Sequence, residues 1–195
     1  MTTRARIVEY DRRWPEQFEL VAARLREALK GVEVAVEHIG STAVPGLAAK
    51  DVIDVMTVVG NDGDLVRAAD ALAAAGWSVR PAGHGNDHPV PGLASDPREW
   101  VKRFAHEPEG DRRTNVHVRI VGRANHRYAI LFRDFLKAHP DEAAKYSEAK
   151  RSLAEWCDST AQYAEEKDPL CDVIYLSAER WAEEVGWQLP PWPSN

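Results

Sequence analysis

The chain has 195 residues, is 44% apolar and carries a formal net charge of −6, which suits one core and one domain over residues 1–195 better than two. The acidic balance leaves no global footprint of a nucleic-acid binder, so general nucleic-acid binding is not expected. Two cysteines, Cys157 and Cys171, make neither a disulfide framework nor a CxxC metal knuckle, and no apolar run reaches the roughly 20 residues of a membrane span, so a soluble, cytoplasmic protein without a membrane partner is expected.

Arg6 to Tyr10 reads as a short strand. Pro15 opens a helix with Phe18, Val21, Ala22, Leu25 and Ala28 at helical spacing, and Gly31 ends it. From Val32 the period becomes two, with Val32, Val34 and Val36 on one face and Glu33, Ala35, Glu37 and Ile39 on the other. Gly40 to Lys50 is a loop of small residues around a Pro45-Gly46 turn signal. Val52 to Val59 follows as an apolar run suited to a strand covered on both faces, with Asp54 its only charge.

A second helix carries Leu65, Ala68, Ala69 and Leu72 and stops at Gly76, and Trp77 to Arg80 is a candidate strand. Pro81 to Pro97, dense in Gly, Pro, Asn, Asp and His, is the candidate substrate-facing loop. Glu99 to His106 and Asn115 to Val121 alternate on either side of the polar PEGDRR turn and predict an antiparallel hairpin. Three helices close the chain, striped by Tyr128, Leu131, Phe132 and Phe135, by Ala149, Leu153, Trp156 and Cys157, and by Ile174, Ala178, Trp181 and Val185. Pro140 and Pro169 read as first-turn prolines, and Trp100, Trp156 and Trp181 as core residues. This order predicts an α+β fold: a small mixed sheet with helices on one side, a C-terminal helical bundle, and a cleft between sheet and bundle.

The segment HIGSTAVPGLAAKDVIDV, together with VEYDRRWPEQF, NVHV, LFRDFLKAHPDEAAKY and QYAEEKDPL, resembles the GrpB family within the DNA polymerase beta-like nucleotidyltransferase superfamily. The resemblance implies a nucleotidyltransferase-like fold, an NTP substrate, a divalent metal (magnesium, or a transition metal such as manganese or zinc) and a small-molecule acceptor. The superfamily pattern is a hydrophobic residue, Gly, then Gly or Ser, a gap of around ten residues, and Asp followed two residues later by a second acid. Ile39, Gly40, Ser41 and Asp54 match by position; the place of the second acid is held by Met56. Gly40 lets backbone approach a triphosphate, Ser41 and the loop N–H groups, Thr42 included, can bind phosphate oxygens, and carboxylates hold metal for in-line displacement.

Asp51 cannot replace the missing acid from the strand, because side chains alternate and 51 points away from 54. Glu37, at the end of the preceding strand, is the nearest carboxylate by sequence, and His117 in NVHVRI stands where the superfamily's third acid usually comes from. Asp54, Glu37 and His117 are thus the expected catalytic and metal-binding set, a mixture that suits a transition metal as well as magnesium. Lys50, Arg103, Arg119, Tyr163 and Lys167 are the candidate nucleotide contacts; Arg119 shares a face with His117, and Lys167 follows Tyr163 at i,i+4. For His38, a satisfied core histidine is the simpler reading. A nucleotidyl transfer to a small acceptor, a binding module without catalysis and a metal-dependent hydrolase are the three functions in play. GrpB-like domains joined to dephospho-CoA kinase point toward coenzyme A or nucleotide metabolism.

Overall fold

The computed structural model describes residues 4–84, 87–93 and 96–192. Among these residues five strands and five α-helices follow in chain order: α1 (Trp14–Ala28), β1 (Ala35–Ile39), β2 (Ile53–Val59), α2 (Asp62–Ala74), β3 (Ser78–Val79), β4 (Arg103–His106), β5 (Thr114–Ile120), α3 (Ala124–Ala138), α4 (Pro140–Trp156) and α5 (Thr160–Val185). The sheet order is β1-β2-β5-β4-β3, with β2 and β5 parallel and every other neighbouring pair antiparallel. This is the expected α+β class with a small mixed sheet, and the predicted hairpin is the β4–β5 pair.

The two faces of the sheet have different chemistry because the pleat sorts alternate residues. Val55, Val59, Val116, Val118 and Ala105 form an apolar face, closed by Trp14, Phe18, Val21 and Leu25 of α1 and Leu65, Ala68 and Leu72 of α2. On the opposite face, register sets Glu37 beside Met56 and Met56 beside His117, then Ile39 beside Asp54 and Asp54 beside Asn115. One half of this second face is apolar: Ala35, Ile39, Met56 and Val58 pack on Ala129 and Ile130 of α3. The polar half looks toward α4 and α5, which are held to α3 by a second core that includes Leu131, Phe135, Ile174 and Ala178.

Several expected boundaries move. The strand over Arg6 to Tyr10 is a single bridge between Val8 and Ala49, the strand starting at Val32 begins at Ala35, and Trp77 to Arg80 contributes only Ser78 and Val79. Pro169 is not a first-turn proline. The Ser159 hydroxyl caps the N–H of Gln162 and starts α5 at Thr160, so Pro169 lies within the helix. Trp156 is not core: it ends α4 at 87% exposure, because the buried face of that helix is Ala143, Tyr146, Ser147 and Lys150. Val185 is exposed as well. The loop expected from Pro81 to Pro97 ends in a 3-10 turn at Pro97–Trp100, and its residues 85, 86, 94 and 95 lie outside the described ones.

Candidate functional site

A cleft of about 600 Å³ lies between the polar half of the sheet and the helical bundle. Its corner is Gly40, which leaves β1 with φ 70° and ψ −169°, a conformation open to glycine and strained for other residues. The side chain is also forbidden by contact, since a Cβ built at Gly40 would stand 2.5 Å from Asp54 Oδ2. The glycine thus brings the loop backbone against the β2 carboxylate. Ser41 opens a 3-10 turn at Ser41–Ala43 and lines the cleft.

Lys150 of α4 reaches this turn from across the cleft. Its Nζ donates to Ser41 Oγ at 2.8 Å and to the Ala48 carbonyl, and it sits 4.5 Å from the Tyr146 ring centroid. Burial, and next the charge of Lys167, push its pKa down to about 7. Lys50 lies 5.5 Å from the Tyr163 ring centroid; burial lowers its pKa against the pull of Asp54. Lys167 donates to Cys171 Sγ at 3.1 Å. Lys50, Lys150, Tyr163 and Lys167, from three elements of the chain, therefore line the same cleft as the Gly40–Ser41 corner, and Lys150 touches it.

Asp54 is on the cleft floor. Its Oδ1 accepts from Asn115 Nδ2 at 2.8 Å and lies 3.9 Å from His117 Nε2. Burial alone would raise its pKa, but His117, Asn115 and Lys50 outweigh that and hold the carboxyl below its ordinary value. The His117 ring is set edge-on to Phe104 at 4.9 Å. Burial, reinforced by Lys102, lowers its pKa to about 4, so it is neutral at pH 7. Its buried Nδ1 has no hydrogen-bond partner among the described residues.

Beyond His117 the cleft is organised by Asp87. This carboxylate is ion-paired with Lys102 and Arg119, whose side chains are 8% and 6% exposed, and Asn125 Nδ2 reaches the same Oδ2 that Arg119 Nε does, at 3.3 and 3.1 Å. Burial opposes ionisation of Asp87, and Arg119 and Lys102 overcome it, so the carboxyl stays charged. The adjacent His88 lies 3.3 Å from Asp172 and 3.7 Å from Asp168 of α5. Five cations, Lys50, Lys102, Arg119, Lys150 and Lys167, thus face three carboxylates, Asp54, Asp87 and Asp168, among the described lining residues. In a chain of net charge −6 this is a local positive site, which attracts anions.

The sequence-predicted residues Gly40, Ser41, Lys50, Asp54, His117, Arg119, Tyr163 and Lys167 all line this cleft. Three others do not. The Thr42 side chain turns inward, 1% exposed, with its hydroxyl 3.0 Å from His38 Nε2. Arg103 is paired with Val118 and so belongs to the opposite face of the sheet. Glu37 is ion-paired with Arg133 at 2.9 Å and lines a separate small hollow with Ala35, Val58 and Trp192. The expected Asp54, Glu37 and His117 set is therefore not brought together; only Asp54 and His117 come within one ion's reach. No group of three carboxylate, imidazole or thiol side chains able to hold a metal occurs among the described residues, so this donor set does not fit a resident metal centre.

Lys150, Tyr146, Asp87, Lys102 and Asn125 line the cleft and were not singled out by sequence. The available signal for α4 was Ala143, Tyr146, Ser147 and Lys150 at helical spacing, a stripe passed over because it mixes polar with apolar residues.

Comparison with known proteins places this geometry. The family model described as GrpB protein matches residues 4–176. A dephospho-CoA kinase of Mycolicibacterium paratuberculosis is 34% identical over 200 residues, covering 94% of this chain and 48% of that protein, so the chain spans about half the length of such relatives. A UPF0157 protein of Streptomyces coelicolor is 37% identical over 88% of this chain and 81% of its own length. Among solved structures, the conserved protein GrpB from Enterococcus faecalis superposes with a TM-score of 0.70 at 27% identity, over 90% of this chain and 99% of that one. A family match over most of the chain and a shared fold agree: this chain belongs to the GrpB family.

Proposed function

We propose that the cleft binds the phosphate chain of an NTP and transfers its nucleotidyl group to a small acceptor. The observation that carries this reading is the contact of Lys150 with Ser41 at a corner pressed against the Asp54 carboxylate, in a cleft that Lys50 and Lys167 also line. Backbone approach at Gly40, the Ser41 hydroxyl and the cations suit phosphate oxygens. In the transfer, an acceptor oxygen attacks the α-phosphorus, the bond to pyrophosphate breaks, and the acceptor's proton passes to Asp54, ionised and on the cleft floor. Asn115 holds Asp54 in place at 2.8 Å, with neutral His117 3.9 Å away. A divalent ion enters this scheme as part of the substrate, bound to the NTP phosphates.

One observation favours a second reading, binding without transfer. Met56 occupies the second-acid position, fully buried, with Arg119 Nη1 3.5 Å from its sulfur. An activity screen separates the two: α-labelled NTPs are incubated with a metabolite pool and wild-type or Asp54→Asn protein. Label appearing in a new product with the wild type alone supports transfer. A raised melting temperature with NTP but no product supports binding alone, and no stabilisation by any NTP at millimolar concentration defeats both.

A further inference from the structure

The far end of the cleft holds an unused acceptor whose direction is fixed. Asn125 is 1% exposed, lines the cleft, and its Oδ1 has no hydrogen-bond partner among the described residues. The amide cannot be turned around, because its Nδ2 donates to Asp87 Oδ2 at 3.3 Å and to the Val101 carbonyl at 3.1 Å; a flip would set oxygen against two oxygens. A buried carbonyl left unpaired costs stability and marks a place for an incoming donor. Right beside it are donors. Arg119 shares Asp87 Oδ2 with Asn125 and spends Nε, Nη2 and Nη1 on Asp87 and the Met56 sulfur, leaving two of its five N–H groups without a partner among the described residues. Lys102 meets the other oxygen of Asp87. Trp100, Phe104 and Tyr128 add flat apolar surface to this end of the cleft.

Resting on the nucleotide reading above, we infer that this end of the cleft is a base subsite selective for a lactam edge, the adjacent N–H and C=O of uracil or of a 6-oxopurine. The ring N–H donates to Asn125 Oδ1, the neighbouring carbonyl accepts from Arg119 or Lys102, and the ring lies against the aromatic surface. Adenine and cytosine present the reverse order on that edge, an amino donor and a bare ring nitrogen. They would point a donor at the cations and leave Asn125 facing a lone pair. A site built around a buried acceptor rejects a ligand that cannot fill it far more strongly than a site that merely lacks a contact.

The cleanest probe is ITP against ATP, which differ only at this edge, with UTP against CTP as the pyrimidine pair and inorganic tripolyphosphate as the phosphate-only control. Kd values are measured by calorimetry on the full chain. ITP and UTP are expected to bind about tenfold or more tighter than ATP and CTP, and in Asn125→Ala the ITP-to-ATP ratio falls toward one, whatever the absolute affinity. Tripolyphosphate binding with all four NTPs equal overturns the base subsite alone. Discrimination of ribo- from deoxyribonucleotides without base preference also overturns it, because Asn125 would then be meeting a sugar hydroxyl. Absence of binding by tripolyphosphate and by every NTP overturns the nucleotide reading and the base subsite with it.

Discussion

Asp54 Oδ2 occupies the space where a side chain at residue 40 would begin, 2.5 Å from the Cβ position of Gly40. Corner and carboxylate are one construction, since the loop can pass so close to β2 only without a Cβ. Gly40→Ala is expected to lose about 1–3 kcal/mol of stability from the positive φ and the clash, and to displace Asp54 from Asn115. Chemical denaturation reads the first effect, and an NTP affinity reduced along with transfer reads the second. An unaltered midpoint would show that Asp54 turns aside without cost.

Lys150 gives the site a proton-linked affinity. Its pKa is about 7 in the folded protein against an ordinary value of 10.5, so near pH 8 much of it is neutral. An anion beside the amine favours the charged form. Tripolyphosphate binding at pH 8 is therefore accompanied by proton uptake, visible as a dependence of calorimetric enthalpy on the buffer's ionisation enthalpy. Affinity weakens as pH rises through 7 to 9. Lys150→Met abolishes the uptake; uptake of equal size in the variant would assign it elsewhere.

Arg133 and Glu37 test the separation of structure from site. Arg133, with an 11% exposed side chain, donates to Glu37 at 2.9 Å and to the His38 carbonyl at 3.0 Å, and is ion-paired with Asp134. Arg133→Ala strands two carboxylates and is expected to cost about 3 kcal/mol. Glu37→Gln keeps a side chain of the same shape and leaves NTP affinity within about twofold, because nothing on Glu37 faces the cleft. A tenfold loss of affinity in Glu37→Gln would return that residue to the site.

Three histidines make the fold acid-labile. Burial lowers the pKa of His38, His117 and His126 to about 4 from the ordinary 6.5. Between those limits the unfolded chain binds protons that the folded chain does not, so unfolding free energy falls as pH drops from 6.5 toward 4. Each ring contributes on the order of 1 kcal/mol or more. Urea titrations at pH 7 and 5 measure the loss, and His126→Gln, which cannot take up the proton, shrinks it. A midpoint that does not move over this range would mean the rings titrate normally.

Much of the site was legible because its residues obey a period. Asp54 is the single charge in an apolar strand, and His117 and Arg119 fall two apart on β5, so alternation puts those two on one face; the family resemblance set His117 with Asp54, and the β2–β5 register does bring them to the same face. Glu37 has the same parity and does share that face, but periodicity fixes a face and not a position along it. It lies beside Met56 rather than Asp54, within reach of Arg133. Lys150 and Ser147 were missed for the opposite reason. A helix that walls a polar cleft buries polar groups that no apolar stripe marks; of the stripe expected there, Cys157 and Leu153 pack in one cluster with Tyr163 and Trp156 is exposed. Asp87 falls in the loop expected to face substrate, but its meeting with Arg119 and Asn125, 32 and 38 residues further on, has no local signal.

The reach of Lys150 from α4 to Ser41 and to the Ala48 carbonyl, beside the bond from the Ala48 N–H to Ser147 Oγ, ties α4 to the loop between β1 and β2. At this point of the wall the lysine works as a strut as well as a charge. A ligand that takes over the ammonium loosens that tie in the same event, so occupancy of the phosphate end and the seating of α4 on the loop change together. Substituting Lys150 with arginine, which keeps the charge and alters the length, is the change that would resize the opening without emptying it.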